Sequence, residues 1–137
     1  MPDIEIYARR AFKICSTKRD SFEQLCLVVL DVPASARVIE TEWNSDGVVT
    51  AFRCEWAFVR TMLSLGPLSS SPPVLDLSVK PTVAYSCFYR SPGAVYKVGR
   101  RVWARNFDPR GYITAGGGIH CYVDQFTALN SVAGGIL

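Results

Sequence analysis

The chain has 137 residues, 49% of them hydrophobic and 20% charged, with a formal net charge of +3. That length is one domain's worth, and that apolar content can bury a core without disulfide or metal staples. The mild charge lacks the footprint of a dedicated nucleic-acid binder, and the longest apolar run, Leu25 to Leu30, is too short for a membrane span.

Met1-Pro2-Asp3-Ile4-Glu5 opens with acids, without the basic patch and apolar stretch of a signal peptide, so a soluble chain is expected. Alternation in Ile4 to Tyr7, resumed in Ala11 to Cys15, predicts strand, and the polar segment Ser16 to Ser21 a hairpin loop. Leu25-Cys26-Leu27-Val28-Val29-Leu30 reads as a strand buried on both faces, stopped by Asp31-Val32-Pro33 because proline has no ladder donor. Glu40-Thr41-Glu42 reads as solvated loop. Asn44-Ser45-Asp46-Gly47 is a turn, since glycine accepts positive φ and Asp or Asn can bond its own backbone.

From Val48 to Leu65 both periods occur: Phe52, Trp56, Val59 and Leu63 fit a helix, but strands fit the flanking alternation better. Gly66 to Pro73 is a loop and the only linker-like stretch, too short to argue two domains, so a single domain over 1–137 is expected. Leu75 to Val79 and Val83 to Tyr89 read as strands, with Ser91-Pro92-Gly93 a turn. Val95 to Gly99 and Arg101 to Trp103 read as one strand with a glycine bulge. Another turn at Asp108-Pro109-Arg110-Gly111 leads to Tyr112-Ile113-Thr114 and then three glycines. Asp124 is placed to cap a short helix through about Leu129, with Asn130 as its stop. The fold class expected is α+β, mostly β: a small antiparallel sheet or sandwich-like domain with one or two short helices.

The five cysteines, Cys15, Cys26, Cys54, Cys87 and Cys121, are odd in number and widely spaced, with no C-x-x-C pair and one histidine in the whole chain. Neither a zinc site nor a disulfide framework has that pattern, so reduced core thiols are expected. No metal and no cofactor is implied. Gly116-Gly117-Gly118 could cradle an anion, but it has neither the lysine nor the spacing of a phosphate loop, and a tight turn before a strand explains it. His120 is the only histidine and so the only candidate for a histidine general base. Cys121 beside it points to the opposite face of a strand and cannot be its partner. A structural, hydrogen-bonded His120 is the expectation, and no catalytic set is assigned.

The second half concentrates aromatics, among them Tyr85, Tyr96, Trp103 and Tyr112, interleaved with Arg90, Lys97, Arg100, Arg101, Arg105 and Arg110. They could stack single-stranded bases, but core packing with snorkelling arginines explains the same pattern. Nucleic acid is therefore not an expected partner.

Tyr96-Lys97-Val98-Gly99, then Phe107-Asp108, then Gly118-Ile119-His120-Cys121-Tyr122 before an acidic helix start, form an order that resembles a domain of unknown function. That domain accompanies pentapeptide-repeat proteins of large double-stranded DNA viruses and some of their hosts. Leu27 to Ala36 is similar to its aliphatic strand and Pro-x-x-Ala turn, and Phe52-Arg53-Cys54-Glu55-Trp56-Ala57-Phe58-Val59 to its Cys-Arg strand with the two residues exchanged. The resemblance spans roughly residues 10 to 130. Arg100-Arg101 stands where the family often carries acids.

The resemblance implies a fold and a viral setting but no active site. It implies a non-enzymatic structural or interaction module, a minor capsid or other virion protein, found in the virion and in host cytoplasm during assembly. Other virion or capsid proteins would be its partners. The apolar tail Ser131 to Leu137, rich in glycine, suits a terminus that is ordered when docked on a neighbour. The alternative is a small-ligand-binding or enzymatic domain using the Gly116 to His120 turn.

Overall fold

The computed structural model describes residues 7–19, 24–66, 73–86, 94–113 and 116–133. The expectations for residues 1–6, 20–23, 67–72, 87–93, 114–115 and 134–137 lie outside the described residues, including the turn at Ser91-Pro92-Gly93 and most of the 66–73 loop.

Among the described residues ten strands form one antiparallel sheet with a single helix: β1 (Tyr7–Ser16), β2 (Leu25–Pro33), β3 (Val38–Trp43), β4 (Val49–Cys54), β5 (Trp56–Leu65), β6 (Leu75–Asp76), β7 (Val83–Ser86), β8 (Val95–Lys97), β9 (Arg101–Trp103), β10 (Ile119–Tyr122) and α1 (Gln125–Ala133). The class is as expected: mostly β, with one short helix among the described residues.

The spine runs β3-β4-β10-β1-β2-β5-β6. One edge of β1 is shared, with β10 opposite Phe12 and β7 opposite Cys15 and Ser16. One edge of β5 is shared likewise, by β9 at Trp56 to Phe58 and by β6 at Ser64 and Leu65. β8 pairs with β7, and the turn after it bonds both flanks, Val98 N–H to the Thr82 carbonyl and Gly99 N–H to that of Val59. The sheet is thereby curled, the β7–β8 branch off β1 being tied back to β5 through residues 98–100.

Both faces of β1 and β2 are covered, which their alternation explains. Ala11, Cys15, Cys26, Val28 and Leu30 enter one cluster with Phe52, Cys54, Val59, Met62, Tyr96, Ile119 and Cys121. Ile14, Leu25 and Leu27 turn the other way, against Leu65 and the α1 residues Ala128 and Val132. Every residue of β2 is buried, as the unbroken apolar run predicts. A fully buried leucine such as Leu27 contributes about 1.5–3 kcal/mol by leaving water.

Several elements differ from the expectation. β2 continues through Asp31 and Val32, and Pro33 is only its last paired residue, opposite Tyr7. Asp31 is buried at a strand interior position because Arg10 and Arg60 each donate to its carboxylate, at 3.3 and 2.7 Å. Glu40 and Glu42 are not loop residues. They lie on β3, an edge strand with register shifts on both sides of Glu42, and exposed acids and bulges of this kind blunt a sheet edge.

The segment expected over Leu75 to Val79 pairs only at Leu75 and Asp76, since the Asp76 carboxylate accepts from Ser78 N–H and turns the chain away. Val95 to Trp103 is two strands on different neighbours, divided at Gly99 with φ +81°, rather than one bulged strand. The Asn44 to Gly47 turn is as expected, with Asn44 as the self-bonding residue and Gly47 at φ +78°.

Asp124 caps α1, its carboxylate accepting from Thr127 N–H at 2.7 Å. Asn130 does not stop the helix, because Val132 one half-turn later is buried in the second cluster. Ser131 and Val132, expected in a docking tail, thus belong to α1, and Val132 packs on the chain's own sheet. No helix among the described residues is long and apolar enough to cross a membrane.

Candidate functional site

The Gly116 to His120 segment is where sequence pointed, and its geometry is set by Arg53, a residue the sequence singled out only within a resemblance. Arg53 is fully buried on β4, opposite His120 of β10 in the ladder, so both side chains leave the same face of the sheet. Cys54, Ile119 and Cys121 leave the other face, into the first cluster. Cys121 therefore points away from His120, as expected.

The Arg53 guanidinium is wrapped by the loop that joins β9 to β10. Its Nε donates to the Ile113 carbonyl at 3.1 Å, Nη1 to those of Asp108 and Gly117, and Nη2 to those of Arg110 and Ile113 at 3.0 and 2.6 Å. Five N–H donors in a planar fork thus meet four backbone carbonyls, which suits arginine and no other side chain. Burial lowers the Arg53 pKa, Asp108 opposing this and Arg110 adding to it. The Phe107 ring lies 5.5 Å from the Arg53 Cζ, and Arg37 covers the same ring at 5.1 Å while pairing with Glu55 at 2.7 Å.

The glycines follow from this packing. A Cβ on Gly117 would sit 1.7 Å from the Asn106 carbonyl oxygen, a backbone atom that cannot step aside. Gly118 has φ +149°, which L side chains avoid. The turn reading of the triple glycine holds, and its cause is close approach to Arg53 and the 106–108 backbone.

Asp108 fastens the outer rim. Its carboxylate takes the Arg110 side chain at 2.7 and 2.9 Å and the Arg110 backbone N–H at 3.1 Å. Those bonds, with the Arg110 charge, hold the Asp108 carboxyl down at about 2.

His120 is half-buried. Its Nε2 lies 2.8 Å from the Gly116 carbonyl oxygen, and its own carbonyl accepts from the buried Lys13 Nζ at 2.8 Å. The imidazole thus fastens the same turn that Arg53 clamps. Among the described residues no group of three His, Cys, Asp or Glu side chains could hold a metal ion. Cys15, Cys26, Cys54 and Cys121 are buried and in no disulfide among the described residues; Cys87 lies outside them. A hydrogen bond with Cys121, then burial, pushes the Cys54 thiol well above its ordinary value, so it stays protonated.

A second feature lies beside β9. Trp103 stacks on its ladder partner Trp56, ring centroids 5.0 Å apart at 17°, and the Arg101 guanidinium sits 5.1 Å from the Trp56 ring. Trp56 is buried beneath them, while Trp103 remains 55% exposed. A groove of about 200 Å³ is lined by Ala94, Val95, Trp103, Arg105, Asn106 and Ile119 among others. The aromatic set of the second half therefore divides: Tyr96 is core, whereas Trp103 and Tyr112 face solvent. The Trp56–Trp103 pair had no sequence signal, because cross-strand partners 47 positions apart are set by register alone.

No protein-family model, curated protein or solved structure matches the chain.

Proposed function

We propose that the chain is a non-enzymatic structural and interaction module, a minor capsid or other virion protein of a large DNA virus, whose partners are other virion or capsid proteins. The observation that carries the interaction reading is apolar surface left over once the core is filled. Val74, Leu77 and Val79 are 59%, 64% and 54% exposed in one short segment around β6, and Phe126 on α1 is 71% exposed. Leu75 and the buried residues of α1 belong to the same cluster, so the segment and the helix flank one part of the core. Apolar side chains grouped in this way mark contact sites for other proteins.

The viral setting rests on the motif order from Tyr96 to Tyr122. The Gly116 to His120 turn supports a non-enzymatic role, since its polar groups are spent on Arg53 and on backbone carbonyls. Quantitative mass spectrometry of purified particles from the source virus tests the reading. The chain is expected at a fixed ratio to the major capsid subunit, retained through a high-salt wash. Its absence from washed particles would overturn the proposal.

A further inference from the structure

The outer side of β9 carries a surface that the interaction reading does not use. Trp103 faces Trp56 at one end of β5 and Leu75 faces Leu65 at the other, nine positions away, roughly 30 Å along an extended strand. The two surfaces are therefore separate.

Arg101, Trp103 and Arg105 alternate along the chain and are all exposed, while Val102 is buried. Trp56, itself covered by Arg101, stacks on the Trp103 indole from one side, and much of the Trp103 ring is left to solvent beside the 200 Å³ groove. Charge is segregated along the sequence. From residue 77 to residue 107 the chain carries Lys80, Arg90, Lys97, Arg100, Arg101 and Arg105 and no acid. The remainder of the chain is net acidic, so the small total charge conceals a basic region.

We infer that this face binds single-stranded nucleic acid, with a base stacked on the exposed indole of Trp103 and the neighbouring phosphates paired by Arg101 and Arg105. A flat aromatic ring flanked by cations is the arrangement that takes bases without regard to sequence. An acidic polypeptide would satisfy the arginines and leave the indole bare. A duplex keeps its base faces stacked inside and would do the same.

The test is titration of the full chain with single-stranded oligodeoxythymidine, followed by tryptophan fluorescence and by anisotropy of the labelled strand, across a salt series. Wild type is expected to bind at low salt with quenched fluorescence and to weaken as salt rises. Trp103→Ala is expected to lose about tenfold or more in affinity. Arg101→Ala with Arg105→Ala is expected to flatten the slope of log affinity against log salt by about 1.4, two phosphate contacts' worth on a single strand. Arg60→Ala, which lies on the Asp31 pair, is expected to bind as wild type.

Absence of binding by wild type, or wild-type affinity in Trp103→Ala, overturns the inference. So does polyglutamate binding as tightly as the oligonucleotide, which would assign the face to acidic proteins. Arg105→Glu, at an exposed position, decides the matter should circular dichroism show Trp103→Ala unfolded: binding is expected to be lost, and wild-type affinity overturns the inference.

Discussion

At the scale of residues, Arg53 explains more of this molecule than the histidine that first draws attention. A buried guanidinium survives only if its donors are matched, and four carbonyls from Asp108 to Gly117 match them. Arg53→Lys keeps the charge but cannot present the planar fork, so it is expected to cost about 3 kcal/mol in denaturant unfolding. Hydrogen exchange should then speed up between residues 106 and 118, while the β1–β2 hairpin keeps its protection. Asp108 gives a pH signature. Its carboxyl is held down at about 2 against an ordinary 3.8, so its contribution is complete above pH 3.8 and disappears as pH falls through 2. Carbon-detected NMR titration should find its midpoint near 2; a midpoint near 3.8 would show that the Arg110 contact is absent in solution. The triple glycine was legible in the sequence as a turn, because glycine has few other uses before a strand. Its cause was not legible. The acceptors around Arg53 are main-chain carbonyls, which any residue type supplies and which leave no composition signal.

At the scale of elements, periodicity served where both faces of a strand were apolar or where one turn residue was decisive. β2, the Asn44 to Gly47 turn and the capped start of α1 are of that kind. Asp124→Ala removes the cap and is expected to cost about 1 kcal/mol, measured as a shift of the denaturation midpoint with unchanged slope. Elements whose limits depend on long-range partners depart from the local pattern. Glu40 and Glu42 look like loop until β4 pairs with them, and Asp31 looks like a strand stop until Arg10 and Arg60 neutralise it. Gly99 divides β8 from β9 because each has a different neighbour, which no local pattern records.

At the scale of the whole molecule, a curled sheet seals one cluster inside and a second beneath α1, and two exposed surfaces carry the proposals. One is apolar, around β6; the other is basic and aromatic, along β9. The class of the fold could be read from β-rich alternation, but the surfaces could not, since exposure is decided by which residues the core has no room for. The β6 surface carries the functional account, and Leu77→Asp with Val79→Asp probes it without touching the core. Both positions are exposed, so thermal stability is expected to change by no more than about 0.5 kcal/mol per substitution. The decisive measurement is the ratio of this double variant to the major capsid subunit in purified, salt-washed particles, set beside that of wild type. A folded variant largely missing from the particles is expected; incorporation equal to wild type would overturn the proposed role of the β6 surface.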